Sequence, residues 1–281
     1  MFKFVEDVVR YPFLFRALMA GIFISVSVAI LGVVLVLKRY SMIGDGLSHV
    51  GFSAFSISSA LNWAPFLVSI PVVVFVAVLL LLLNENSSKI KSDSFIALLS
   101  NSCLSFGIII ISKAKGFNVD VLNYMFGSIL ALKKLDLILS VVFSFCAVFL
   151  FVFLYNKIFS ITFDEDFAKA VGIKVRIYKL LIAVLISLVV VVAMKMVGAL
   201  LISSLIIFPV LSVNRLFNCY RKIIIFSAVD SVFCFVVGFF LSYIFSIPTG
   251  ATVVFVNFLM FCFCFIFSII KKIFKKKSFS C

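Results

Sequence analysis

The stretch RYSMIGDGLSHVGFSAFSIS, residues 39–58, lies between two apolar runs and carries Asp45 and the chain's one histidine, His49, four residues apart. Its surroundings decide how it is read. Of 281 residues 65% are hydrophobic and 13% charged, and the mean hydropathy is +1.33, whereas soluble domains carry roughly 25% charged residues. The chain therefore reads as an integral membrane protein. Runs of the roughly 20 apolar residues that cross about 30 Å of hydrocarbon recur along it, and without water there each backbone group must be bonded within the protein. That requirement predicts an all-α fold, a polytopic transmembrane helical bundle.

Reading outward from residues 39–58, spans are predicted at about 14–37, 43–61, 64–83, 94–112, 135–156, 179–196, 198–213, 222–246 and 250–270, with eight and ten as the neighbouring counts. All belong to one transmembrane domain, residues 1–281. The formal charge of +14 at first suggests nucleic acid, but the Lys and Arg residues cluster at the ends of apolar runs, where the positive-inside rule puts them. Lys38, Arg39, Lys89, Lys91, the 157–179 loop, Arg215, Arg221, Lys222 and the KKIFKKK tail are accordingly assigned to the cytoplasm. This puts the N-terminus outside and the C-terminus inside, and leaves Lys113, Lys115, Lys133, Lys134 and Lys195 on the opposing side. The 37 phenylalanines, spread through every span, read as lipid-facing bulk.

The seven cysteines show no paired spacing, and Cys262 and Cys264 point about 200° apart on a helix. Neither a disulfide framework nor a zinc knuckle is indicated. The N-terminal stretch contains acidic residues and no small-residue cleavage site, so it reads as a short interfacial segment. Two regions are not clean spans. Residues 119–136 are short and polar, with Gly127 inviting a break, and read as a re-entrant or interfacial helix. Residues 194–213 hold Gly198, Ser203, Ser204 and Pro209, which favour close helix packing ahead of ligand binding.

Within the 157–179 loop, Thr162 and Glu165 fit a capping box, Asp164 and Asp166 suit the first turn of a helix, and Gly172 suits its end. A short helix over about 163–171 is predicted. Asp45 and His49 share one helix face, and from a helix start near Tyr40 they fall roughly 8 to 14 Å along it. An ionisable group at that depth costs at least about 2.5–3.5 kcal/mol to insert, so it faces the bundle interior or a water-filled path. Carboxylate oxygen with imidazole nitrogen is a ligand set for zinc, manganese or ferrous iron. A structural Asp–His hydrogen bond between packed helices explains the same spacing, and the residues alone leave both open.

Five segments together carry a family resemblance: LKRYSMIGDGLSHVGFS (37–53), VDVLNYMFGSILAL (119–132), ITFDEDFAKAVGI (161–173), VAMKMVGALLISSLIIFPVLSV (192–213) and SIPTGATVVF (246–255). In this order they resemble the permease subunit of the ABC metal-ion importers, the zinc-uptake type or ABC-3 family. The resemblance implies an ABC importer permease fold in the bacterial cytoplasmic (inner) membrane, multi-pass. It implies a divalent cation (Zn, Mn or Fe) as cargo, with no permanently bound cofactor, and assigns Asp45 and His49 to the metal pathway. Asp164, Asp166, Ala168 and Gly172 map onto the helix that docks into the ATPase. The implied partners are ABC ATPase subunits on the cytoplasmic face, an extracytoplasmic metal-binding solute-binding protein and a second permease copy, forming a homodimer in the lipid bilayer. Nucleic acid is not among them. Asp230 departs from the family pattern; it is expected either to pair with a basic residue near the cytoplasmic end or to line the path, the first being favoured.

The chain contains no G-x-x-x-x-G-K-[ST] phosphate loop. It is therefore read as a transport subunit and no enzyme, with ATP hydrolysis in a separate partner. A secondary metal transporter is the rival class, although no inverted repeat is evident. A membrane metalloprotease would need more ligands than one histidine supplies. Among importers, a permease for a siderophore or cobalamin is nearest, and a wide pathway for such chelates has no need of the Asp45/His49 pair.

Overall fold

The computed structural model describes residues 7, 10–86, 92–115, 125, 127, 134–199 and 202–277. Regular structure among them is helical: α1 (Pro12–Leu37), α2 (Met42–Ala60), α3 (Pro65–Asn86), α4 (Ser92–Lys115), α5 (Lys134–Phe153), α6 (Tyr155–Phe163), α7 (Glu165–Ala170), α8 (Val175–Val197), α9 (Ile202–Asn214), α10 (Tyr220–Phe245) and α11 (Thr249–Lys277). Six of these, α1, α4, α5, α8, α10 and α11, contain stretches long and apolar enough to cross a membrane, and α3 and α9 hold shorter apolar stretches. The polar α2 lies alongside them.

Helix α1 is the centre of the bundle and packs against α5, α8, α9 and α10. It is the most buried of the six. Helix α2 belongs to a second group with α3, α4, α8 and α9. A tight turn joins α1 to α2: the amides of Arg39 and Tyr40 donate to the carbonyls of Val36 and Leu35 at 3.1 and 2.8 Å. Arg39 takes a φ of 61° there, a left-handed conformation normally left to glycine.

The side-chain pattern is that of a bundle in lipid. On α5, the bundle face is Asp136, Ser140, Ser144, Ala147 and Phe151, whereas Phe145, Phe149 and Phe153 are exposed and stack along the outside at 6.3 and 6.4 Å. Small polar residues let helices approach and bond across the interface. Ser27 of α1 and Ser144 of α5 do so at 3.1 Å.

Several expectations are corrected. The second helix runs Met42–Ala60, within a residue of the span expected at 43–61 and two residues past Tyr40, which closes the preceding turn. The predicted loop after the fifth span is mostly helical, with α6 following α5 after one residue. Gly198 ends α8 at a φ of 93° and does not open the next span, which starts at Ile202. Segment 119–136 lies largely outside the described residues, although Gly127 has a φ of 77°, a conformation suited to a break. Among the described residues the cysteines are all free.

Candidate cation site and coupling helix

Asp45 stands in the first turn of α2, where the helix dipole favours a carboxylate. At about 1.5 Å per residue it lies about 5 Å, and His49 about 10 Å, from the start of that helix. Small residues on both sides bring α2 close to its neighbours. A Cβ on Gly44 would come within 2.3 Å of Ile206 Cδ1 on α9, and one on Gly46 within 2.8 Å of Ile96 Cγ2 on α4. The acid is thereby held in a packed helix, not a loop.

His49 Nε2 and Asp45 Oδ1 are 3.6 Å apart, beyond hydrogen-bond length. The imidazole is buried while the carboxylate is 34% exposed, so the pair is closed on the histidine side and open on the other. His49 Nδ1 is buried without a hydrogen-bond partner among the described residues. No group of three or more His, Cys, Asp or Glu able to hold a metal occurs among them. The pair is thus a two-donor site, able to share one cation and needing donors from elsewhere to enclose it.

The predicted short helix is present as α7, with a different cap from the one expected. Asp164, not Thr162, is the N-cap: its Oδ1 accepts from the amides of Asp166 and Phe167 at 3.0 and 2.9 Å. Thr162 instead donates to the Ile158 carbonyl within α6. At the other end, Gly172 (φ 85°) donates to Lys169 O and Ile173 to Ala168 O, the paired bonds of a Schellman stop. The four residues mapped onto this segment have different surroundings. Ala168 is buried against Ile161 and Val175, whereas the Asp166 side chain is 94% exposed, next to exposed Phe163, Phe167 and Val171.

Glu165 was predicted to reach back to a cap and instead binds two lysines. Its Oε1 accepts from Lys38, which caps α1, at 2.7 Å, and its Oε2 faces Lys179 of α8 at 2.6 Å. Burial pushes this carboxyl up, but the bonds and charges of Lys179 and Lys38 outweigh it and hold the group below the usual glutamate range. This arrangement was missed because its members lie 127 and 14 residues apart.

A second ion pair was also missed. Lys195, left by the charge count on the opposing side, meets the buried Asp136 of α5 at 2.6 Å and lies over the Phe66 ring at 5.0 Å. The signal available was the cation itself, since an intramembrane lysine calls for a partner. Asp230 has no ion pair among the described residues, which corrects the expected basic partner; Cys234 Sγ lies 3.9 Å from its Oδ1.

The sequence matches the ABC 3 transport family over residues 10–268. It is 27% identical to the manganese transport system membrane protein MntC of Listeria monocytogenes, over 94% of each chain. Against the zinc uptake system membrane protein ZnuB of Haemophilus influenzae it is 26% identical, covering 93% of this chain and 98% of the relative. The manganese import system permease ScaB of Streptococcus gordonii is 29% identical over 98% of each. Among solved structures, PsaBC of Streptococcus pneumoniae, in complex with Fab, superposes with a TM-score of 0.84 at 29% identity, over 94% of each chain. An inward-facing metal-chelate type ABC transporter shares the fold, with a TM-score of 0.76 at 14% identity, covering 93% of this chain and 88% of that one. With its helical bundle, Asp45–His49 pair and capped short helix, this chain belongs to the ABC 3 transport family.

Proposed function

We propose that this chain is the membrane permease of an ATP-driven importer and passes a divalent transition-metal cation, zinc, manganese or ferrous iron, delivered by a solute-binding protein. The observation that carries the reading is the 3.6 Å separation of Asp45 Oδ1 and His49 Nε2. Two bonds of about 2.1 Å from one ion to donors at that spacing subtend about 120°, near the tetrahedral value. Two donors bind such an ion without sealing it in, as a site that must also release its cargo requires. The cargo of the manganese and zinc relatives supports the same class. The open side of Asp45 would be completed by water or by a second permease copy, in a homodimer.

The chain works as a single permease domain, with ATP hydrolysis supplied by ATPase subunits docked at the cytoplasmic end. We assign the docking role to α7 and its flanks, Asp164 to Gly172, whose outer face offers Asp166, Phe167 and Val171. Glu165 would carry a displacement of α7 to Lys38, seven residues before Asp45 in the chain, and to Lys179 of α8. Counting α2, α3 and α9 with the six long helices gives nine crossings, with the N-terminus outside and the C-terminus in the cytoplasm; reporter tags at the two ends test this.

In the permease reconstituted with its ATPase, Asp45→Ala and His49→Ala should each abolish metal uptake while complex assembly stays intact. Normal uptake of Zn²⁺, Mn²⁺ and Fe²⁺ by both variants would sink the site.

A further inference from the structure

Beside α7, between the ends of α1, α3 and α8, lies a crevice of about 490 Å³ whose lining includes neither Asp45 nor His49. Its walls are layered by polarity. The inner wall is buried and aliphatic, with Leu35 of α1, Leu80 of α3, and Ile182 and Ile186 of α8. The rim is ionic: Lys38, Lys169, Arg176 and Lys179 line it with one carboxylate, Glu165, which pairs with Lys38 and Lys179, while Lys169 pairs with Asp166 at 3.0 Å. Lys169 and Arg176 are the exposed members, and since Asp166 already pairs with Lys169, the positive charge reachable from outside centres on Arg176.

Size and polarity together restrict the occupant. A free oxyanion would satisfy the rim and leave the aliphatic wall uncovered, and the volume is more than ten times a water's share of about 30 Å³. An acidic protein side chain has the same shortcoming. The remaining class has an anionic head and an aliphatic continuation. Helices α1 and α8 are long enough to cross a membrane, so their ends come to the level of the lipid headgroups, where basic pockets between helices recruit anionic lipids.

We propose that this crevice binds one anionic phospholipid, its phosphate against Arg176 and Lys169 and its first methylenes along Leu80, Ile182 and Ile186. The inference rests on the membrane-spanning reading and not on which cation is carried. The bound headgroup lies next to Glu165 and its two lysines, so the lipid is placed to influence how α7 is held.

The test is native mass spectrometry of the detergent-purified permease, incubated separately with phosphatidylglycerol and phosphatidylcholine of the same acyl chains. Phosphatidylglycerol should be retained in preference, and Arg176→Gln combined with Lys169→Gln should weaken its retention about tenfold or more. Ala183→Phe, which fills the crevice without changing its charge, should also reduce retention. Equal retention of the two lipids overturns the proposal. So does displacement of the lipid by inorganic phosphate at matched concentration, or by added ATPase subunit, since these outcomes would assign the rim to an oxyanion or to a protein surface. The readout does not involve uptake, so a failure here is separate from a failure of the transport reading.

Discussion

His49 is where the fold meets the proposed cation role. An imidazole buried in a helix bundle with Nδ1 unpartnered among the described residues is an unfavourable arrangement by itself, because a buried polar atom without a bond costs about 1–3 kcal/mol. In the proposed cation role Nε2, the nitrogen facing Asp45, is the ligand, and Nδ1–H then needs an acceptor from water or a second subunit. Gly172 is the contrasting case, a residue chosen for backbone geometry. A Cβ there would meet nothing within 4 Å, so Gly172→Ala adds no clash, yet its φ of 85° disfavours any L side chain by about 1–2 kcal/mol. Amide hydrogen exchange should accordingly become faster across α7 in that variant, with the rest of the bundle unchanged.

Among the elements, α7 is too short to be stable alone, since isolated helices under about 12 residues are marginal in water. Asp164 caps it, the Gly172 stop closes it, and Glu165 ties it to α1 and α8. Glu165→Gln keeps the shape and removes the charge. In the reconstituted complex it should lower the metal transported per ATP hydrolysed while leaving ATPase docking intact; an unchanged ratio counts against transmission through this link. The pH dependence has a definite sign. The folded carboxyl titrates below the 4.5 of a free glutamate, so its contribution is fully present above that value and is lost as pH falls through the lower folded one. Thermal unfolding should therefore separate wild type from Glu165→Gln near neutral pH, and the gap should close in strong acid.

For the whole molecule, the two ion-pair groups sit near opposite ends of α8, Lys179 in its second turn and Lys195 in its last. Sixteen residues of helix separate them, about 24 Å at 1.5 Å per residue. Helix α8 also touches α1, α2, α3 and α5, so it braces the bundle from end to end. Removing one partner of a buried pair strands the other, at about 3–5 kcal/mol. Lys195→Met alone should therefore lower the thermal unfolding temperature in detergent, and adding Asp136→Leu should recover most of the loss. Failure of the double variant to recover would assign Lys195 a role other than partnering Asp136.

Composition and periodicity determined the membrane bundle. A chain with 65% hydrophobic residues has one way to satisfy its backbone in lipid, and charge placement follows from the cost of crossing it. The Asp45/His49 pair and the stop at Gly172 were also legible, because i,i+4 spacing and a left-handed cap are local properties. Four things depended on the tertiary structure: Glu165 linking Lys38 and Lys179, Lys195 meeting Asp136, Ala168 turning inward while Asp166 turns outward, and Asp230 standing without an ion pair among the described residues. These depend on which helices become neighbours, and such contacts have no fixed sequence spacing. A sequence shows that a buried charge requires a partner, but only packing selects which one it finds.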